Sequence, residues 1–201
     1  MSLVKVENLS IKTPTGKTLT RGVSFEVSEN EILVIKGENG VGKTTLLRTL
    51  LRPKAKLSSY IDINVSKKKL DYLPQVQNSN FHIPMTIRDA LNLAARDSSD
   101  IEKAMSFGLL EKRHLALHWN TASGGEQKRV LLTRSLLKDP DLMILDEPLN
   151  HLDAHSRDKI CEALSNFVSR PKKAIIMVSH DLESISKYAP SNLRYLEMKR
   201  C

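Results

Sequence analysis

"GENGVGKTT", residues 37–45, is the stretch that decides the fold class of this chain. It has the spacing G-x-x-x-x-G-K-[ST] of a phosphate-binding loop, whose glycines let backbone N–H groups close around the phosphates of a nucleotide. The apolar run at 31–36 predicts a strand before the loop. The run at 43–51 predicts a helix after it, with its positive end towards the phosphates. Strand, loop and helix in this order predict a nucleotide-binding α/β fold.

The composition indicates one domain that neither spans a membrane nor enters the secretory pathway. Apolar runs such as 142–145 and 174–178 are far too short to cross a bilayer, and the first ten residues lack the apolar core of a signal peptide. Cys161 and Cys201 indicate no disulfide framework, which favours a reducing cytosol. The net charge of +8 predicts a solvated basic surface. The aromatic content of 4% argues against a base-stacking surface, so nucleic acid is not expected as a partner.

Hydrophobic patterning predicts an α/β core interrupted by a helical segment. Late apolar strands alternate with helices, as in a parallel sheet covered on both faces. We expect one domain over 1–201, with an α/β core at 1–75 and 123–201, a β subdomain within its N-terminal part, and a helical subdomain at 76–122. The predicted strands are 3–9, 23–27, 31–36, 60–65, 70–74, 141–146 and 174–179. The predicted helices follow Gly42, cover 86–112, start at Ser123, cover 154–168 and start at Asp181.

Two carboxylates stand where the buried strand at 141–146 ends. The carboxyl edge of a parallel sheet is where α/β proteins bind ligands. Asp146 can hold Mg²⁺ through water, and Glu147 can polarise the water that attacks a γ-phosphate. His180 follows the next apolar strand, and Gln75 follows the strand at 70–74. Neither of these two carries a functional signal by itself.

Two histidine pairs have the i, i+4 spacing of half a metal site on a helix. They are His114 with His118 and His151 with His155. No third ligand pattern accompanies either pair, so we interpret all four as surface residues.

The stretch TASGGEQKRVLL, from Thr121, combines a helix start with an unusual pair of glycines. Ser123 and Glu126 form the S-x-x-E capping box. Gly124 and Gly125 lie in the first turn, where each costs roughly 1 kcal/mol relative to alanine. Helix formation alone does not explain them.

The order of these motifs is similar to that of ATP-binding cassette (ABC) ATPases, over nearly the whole chain from Leu3 to Tyr195. The resemblance implies a P-loop NTPase of ABC type, with a mostly parallel core, an N-terminal antiparallel β subdomain and an inserted helical subdomain. It also explains the glycines. In this family the S-G-G turn binds the γ-phosphate held by the other subunit, and bare backbone can approach that anion closely. It therefore implies a C2 homodimer in the ATP-bound state, with two ATP molecules between the chains.

The resemblance assigns a role to each motif residue, with ATP and Mg²⁺ as cofactors. Glu147 would be the catalytic base, His180 would hold the γ-phosphate, and Gln75 would contact Mg²⁺ and the attacking water. Asp146 and Thr44 would organise Mg²⁺, and Asp153 would lie across the dimer seam. The phosphate loop would hold the nucleotide through Gly37, Asn39, Gly40, Gly42, Lys43, Thr44 and Thr45. The opposite subunit would close the site with Ser123, Gly124, Gly125 and Glu126.

Three features differ from the family's usual pattern. No aromatic residue precedes Phe25, where the family usually has one that stacks on adenine, so adenine would bind more weakly or use Lys12, Thr13 or Pro14. Ala122 replaces the usual leucine and Glu126 the common glutamine of the signature, with little expected effect on phosphate contact. The segment 50–69 lacks the glycine of a hairpin that the family often has. We still expect an active ATPase.

The leading hypothesis is the ATPase subunit of a membrane transporter. The stretch 72–93 and the wording MVSHDL (177–182) are similar to ATPases of metal-ion, metal-chelate and especially zinc importers. The resemblance then implies two transmembrane permease subunits docked near 76–92, a possible substrate-binding protein, and a peripheral location on the cytoplasmic face of the inner membrane. Haem export and lipid or lipoprotein traffic stay open. A soluble ABC ATPase, such as an iron–sulfur assembly or translation factor, is the second class.

Overall fold

The computed structural model describes residues 1–13, 15–51, 59–75, 84–95 and 99–200. Eight strands and six α-helices lie within these ranges. The strands are β1 (Ser2–Lys12), β2 (Thr18–Ser28), β3 (Glu31–Gly37), β4 (Ile61–Ile63), β5 (Leu70–Leu73), β6 (Leu142–Asp146), β7 (Ala174–Val178) and β8 (Leu193–Met198). The helices are α1 (Lys43–Leu50), α2 (Ile87–Asn92), α3 (Ser99–Ser106), α4 (Gly124–Leu137), α5 (Ala154–Val168) and α6 (Leu182–Tyr188).

The core is a five-stranded parallel sheet in the order β5-β6-β7-β3-β8. Every residue of β6 and β7 is buried, because helices or the second sheet cover both faces. Side chains alternate between the two cores: Met143 and Leu145 face one, and Leu142 and Ile144 face the other. The predicted parallel α/β core is thus confirmed.

A separate antiparallel sheet, in the order β2-β1-β4, covers one side of this core. Its strands β1 and β2 are longer than the predicted runs. They pair along almost their whole length, from Ser2 opposite Ser28 to Lys12 opposite Thr18, with register shifts between Val6 and Leu9. The shifts break the apolar alternation, so the sequence pattern showed only part of each strand. The predicted N-terminal β subdomain is confirmed.

Strand β8 was missed in the sequence analysis, which placed no strand after α6. It pairs only with β3, at the edge of the sheet, and its charged residues Arg194 and Glu197 are exposed. An edge strand that buries little surface has a weak apolar pattern.

The prediction of helix over 86–112 needs correction. Helices α2 and α3 account for part of it, and Gly108, with φ of +72°, follows the end of α3. A short 3-10 helix at Lys112–Ala116 comes next. A left-handed residue cannot continue a right-handed helix, so the segment is broken. The expected limits of the helical subdomain, 76–122, lie partly outside the described residues.

We expect Ile144→Ala to lower the free energy of unfolding by about 3 kcal/mol. Ile144 is fully buried in β6, in the same apolar cluster as Leu46 and Leu47 of α1. Truncation would leave a cavity that the rigid sheet cannot close. Urea unfolding measures the loss. Leu93→Ala is the control, because Leu93 is 65% exposed and its truncation should cost little.

Candidate nucleotide-binding site

The loop between β3 and α1 can be built only with glycine at two of its positions. Gly37 has φ of +146°, and a Cβ there would lie 2.5 Å from the Met198 carbonyl oxygen. Gly42 has φ of +105°, and a Cβ there would lie 2.9 Å from Ile11 Cγ2. The glycine backbone therefore lies too close to β8 and β1 to leave room for a Cβ, and this close packing determines the path of the loop. The loop therefore presents its backbone at the start of α1 without side chains in the way.

Lys43 is held inside this loop. Its Nζ donates to the carbonyl oxygens of Gly37, at 2.7 Å, and Glu38, at 3.1 Å, and the residue is only 8% exposed. The first turn of α1 supplies N–H groups beside this ammonium. Together they form a compact positive site that suits phosphate oxygens.

Asp146, at the end of β6, is joined to α1 by Thr44. The Thr44 hydroxyl donates to Asp146 Oδ1 at 3.1 Å. Asp146 is 2% exposed, and its Oδ2 has no hydrogen-bond partner among the described residues. Burial raises the pKa of the carboxyl, against the lowering effect of Thr44. A hydroxyl beside an unsatisfied buried carboxylate oxygen is a donor set that fits Mg²⁺, which prefers oxygen ligands.

Glu147 is turned out of the sheet by a left-handed backbone with φ of +52°. Its N–H still donates to Val178 of β7, so the turn is anchored. Its Oε1 lies 3.3 Å from His180 Nε2, and Oε2 has no hydrogen-bond partner among the described residues. Burial raises the pKa of Glu147, although His180 and Lys43 oppose the shift. A basic carboxylate with one free oxygen is suited to accept a proton from water.

Because the pKa of Glu147 is raised in the folded protein, ionisation of Glu147 destabilises the nucleotide-free fold. Its contribution to the free energy of unfolding is fully present below the pKa of the unfolded chain. That contribution is lost as the pH rises through the higher pKa of the folded protein. Glu147→Gln cannot ionise, so we expect it to raise the melting temperature by about 1–3 °C near neutral pH. The gain should vanish near pH 4, where Glu147 itself is protonated. Thermal unfolding at the two pH values measures it, and an equal gain at both would contradict the prediction.

A cleft of about 680 Å³ brings most of the predicted site residues together. Its other walls come from residues that the sequence analysis did not select: Leu19, Asn150 and Val178. Leu19 stands just after the β1–β2 turn, and only the folded hairpin brings it to the loop. The predicted residues that line the cleft are Thr13, Asn39, Gly40, Gly42, Lys43, Thr44, Thr45, Gln75, Glu147 and His180.

No aromatic side chain lies among the described residues of this cleft. Thr13 and Leu19 occupy the wall where the sequence analysis sought an adenine contact. Lys12 is exposed and does not line it, and Pro14 lies outside the described residues. An apolar leucine and a threonine can contact a base but supply no stacking partner.

Asp146 faces a second cleft, of about 570 Å³, that shares Thr44 and Gln75 with the first. Gln75 is exposed and lies between the two. Arg48 and Arg134 also line the second cleft. The Gln75 side chain can therefore contact groups in either cleft.

The glycine turn is the segment 123–126 at the start of α4. None of its residues is among the described residues that line the 680 Å³ cleft around Lys43, so the turn lies away from that cleft. Ser123 caps α4 as predicted: its hydroxyl accepts from Glu126 N–H at 3.2 Å, and Glu126 Oε2 accepts from Ser123 N–H at 2.7 Å. Ser123 and Gly124 are exposed. A Cβ on Gly125 would lie 3.4 Å from Leu152 Cδ2, so a side chain there would crowd the segment before α5. The turn thus presents free backbone N–H groups to the outside.

Asp153 caps α5 and is linked to α4. It accepts from the Ser156 hydroxyl at 2.6 Å and from its N–H at 2.9 Å, and these bonds lower the pKa of Asp153 to about 2. The Arg129 guanidinium of α4 in turn donates to the Ser156 hydroxyl. Helix α4, which begins at the glycine turn, is therefore hydrogen-bonded to the start of α5.

The histidine pairs form no metal site. The described part of the chain contains no group of three or more His, Cys, Asp or Glu side chains arranged to hold a metal ion. His118, His151 and His155 are exposed, as predicted. His114 is not: it is 7% exposed, because the 3-10 helix turns its ring inward. The interpretation of His114 as a surface residue was wrong, because its ring turns into the fold and its Nδ1 accepts the Glu111 N–H.

Comparison with known proteins agrees with this geometry. The sequence profile of the ABC transporter family matches residues 20–150. The zinc import ATP-binding protein ZnuC of Acinetobacter baylyi is 34% identical over 185 residues, which are 90% of this chain and 69% of that protein. A probable metal transport system ATP-binding protein of Thermotoga maritima is 33% identical, with 93% and 78% covered. The zinc transport system ATP-binding protein AdcC of Streptococcus pneumoniae is 30% identical, with 96% and 89% covered.

Two solved structures share the fold. A putative metal-chelate type ABC transporter in an inward-facing conformation has a TM-score of 0.79 at 21% identity, covering 100% of this chain and 81% of that one. The cbiO1 protein of Clostridium perfringens, part of the cbiONQ complex, has a TM-score of 0.79 at 22% identity, covering 98% and 85%. Among the described residues, no helix is both long enough and apolar enough to pass through a bilayer.

Proposed function

Because this chain belongs to the ABC transporter family and is an ATPase of that family, we propose that it powers the import of a metal ion or metal chelate through separate membrane subunits. The observation that carries the proposal is the pairing of a cleft lined by the phosphate loop, Glu147 and His180 with relatives named for zinc import and metal transport. Zinc is the first cargo to test.

In the proposed reaction, the phosphate loop and Lys43 bind the phosphates of ATP. Glu147, with its unpartnered Oε2, accepts a proton from the attacking water. His180, 3.3 Å from Glu147 Oε1, keeps that carboxylate in place and contacts the γ-phosphate. Gln75 orients the water from the opposite wall of the cleft.

Mg²⁺ is proposed as the companion of ATP, held by Thr44 and Asp146, with Gln75 in reach. When bound, it would neutralise charge on the β- and γ-phosphates. The unsatisfied Oδ2 of Asp146 supports this assignment. Burial raises the pKa of the Asp146 carboxyl, and a divalent cation beside it would favour the ionised form.

Two copies of the chain are proposed to join head to tail when ATP binds. None of 123–126 is among the described residues that line the cleft around Lys43, while the glycine turn presents exposed N–H groups outside that cleft. Each glycine turn would therefore bind the γ-phosphate of the ATP molecule held by the partner chain, with Asp153 at the interface between the two chains. Hydrolysis removes the shared anion, and the pair separates.

The proposed membrane partners are two permease subunits, with a substrate-binding protein on the far side of the membrane. They would dock beside Gln75 and α2, which places this chain peripherally on the cytoplasmic face. Gln75 lies between the two clefts, so a partner that touches it can sense the nucleotide. Part of the predicted docking stretch, 76–83, lies outside the described residues.

The decisive experiment is a pull-down of tagged Glu147→Gln protein from detergent-solubilised host membranes with ATP and Mg²⁺. We expect two polytopic membrane subunits to co-purify, and the assembled complex in vesicles to import Zn²⁺ on addition of ATP. Lys43→Ala protein is the control for ATP dependence. Recovery of ribosomes or a soluble scaffold alone would refute the transporter assignment. A complex that moves another cargo, such as haem or lipid, would refute metal import only.

A further inference from the structure

Glu126 has a partner beyond the capping box of α4. Its Oε2 is occupied by Ser123, whose N–H donates at 2.7 Å and whose hydroxyl oxygen lies at 2.8 Å. Its Oε1 lies 3.8 Å from Nε2 of His114, and the two side chains are 23% and 9% exposed. At 3.8 Å this contact is longer than a hydrogen bond, so the link between the glycine turn and the 3-10 helix at Lys112–Ala116 is an electrostatic attraction between close neighbours.

The hydrogen-bond network assigns the orientation of the His114 ring. Its Nδ1 accepts the N–H of Glu111 at 2.8 Å. A neutral imidazole that accepts at Nδ1 carries its hydrogen on Nε2, the nitrogen that faces Glu126. Burial keeps the ring in this position. His114 thus presents a donor to the oxygen of Glu126 that Ser123 does not use.

The charge on Glu126 matters because of its neighbours. Burial opposes ionisation, but the hydrogen bonds from Ser123, with His114 and Arg129 nearby, hold the pKa of Glu126 below its usual range. Glu126 is therefore a carboxylate at neutral pH. A free negative charge beside Ser123 would repel a phosphate, whereas the glutamine common in this family carries no charge.

We propose that His114 is a positioning residue for the glycine turn: its Nε2 faces Glu126 Oε1 and attracts the carboxylate, which stays on the Ser123 backbone and leaves the first-turn N–H groups of α4 open to a γ-phosphate. The inference rests on the proposed ATP-bound dimer. His114 is not among the described residues that line the Lys43 cleft, so it would act only through Glu126.

Two substitutions separate the functions of the two ring nitrogens. His114→Asn keeps an acceptor near Nδ1 for Glu111 N–H but removes the donor that faces Glu126. His114→Gln places an amide near Nε2 and loses the Glu111 contact. In Glu147→Gln protein, we expect His114→Asn to raise the ATP concentration for half-maximal dimer formation about fivefold. His114→Gln should stay within about twofold. Analytical ultracentrifugation measures dimer formation, and circular dichroism checks the fold.

A double-mutant cycle with Glu126→Gln excludes a merely structural effect. Without the charge on residue 126, we expect His114→Asn to change the ATP requirement by less than about twofold. His118→Asn, at an exposed position four residues later, is the matched control.

The outcomes separate the two proposals. Equal ATP requirements for His114→Asn and its parent, or an undiminished His114→Asn effect beside Glu126→Gln, would overturn the role of His114 alone. A Glu147→Gln parent that stays monomeric with ATP would overturn the proposed dimer and this inference together.

Discussion

Replacing Glu147 with Gln is expected to lower the rate of ATP hydrolysis by about 100-fold or more. Glu147 Oε2 is a buried oxygen without a hydrogen-bond partner among the described residues, and burial raises the pKa of the carboxyl. Both features suit a proton acceptor. An amide of the same shape keeps the packing but cannot take a proton from water. ATP binding should survive, because Lys43 and the loop hold the phosphates.

The same variant should therefore accumulate as an ATP-bound dimer. Steady-state phosphate release measures the first effect and size-exclusion chromatography with ATP the second. Glu162→Gln, an exposed position on α5, is the matched control and should leave both unchanged. Hydrolysis by Glu147→Gln at the parent rate would show that another group accepts the proton.

Replacing Lys43 with Ala is expected to reduce ATP affinity by about 100-fold. The ammonium is 8% exposed and lies inside the loop on the Gly37 and Glu38 carbonyls. Charge-assisted bonds to phosphate from such a site are among the stronger polar interactions in proteins. Their loss should also abolish ATP-driven dimer formation.

Titration with a fluorescent ATP analogue measures the affinity of the Lys43→Ala variant. Lys36→Ala is the control, because Lys36 lies on β3, just before the loop, but outside the cleft and near the Tyr195 ring. Thermal unfolding must show that the loop variant is folded. An unchanged affinity would contradict the assignment of this loop to the phosphates.

Local patterns predicted the elements that bury continuous apolar surface. The runs of β6 and β7, the capped start of α4 and the start of α5 appear in the sequence because each is decided by neighbours within a few residues. Strand β8 and the break at Gly108 were missed, since an edge strand and a left-handed turn leave weaker patterns. His114 was taken for a surface residue because the spacing of the histidines does not show that the 3-10 helix turns its ring inward.

The amino-acid sequence by itself determined the nucleotide chemistry of this protein: a phosphate loop, two carboxylates at a strand exit and a glycine turn at a helix start are short patterns whose chemistry lies in the residues themselves. Tertiary structure alone decided which of them meet. It joined Thr44 to Asp146 and Glu147 to His180, brought Leu19 into the cleft, set His114 against Glu126, and kept the glycine turn out of the cleft of its own chain. The physical reason is that these contacts join residues far apart in the chain, and their distances depend on how the sheet and helices pack.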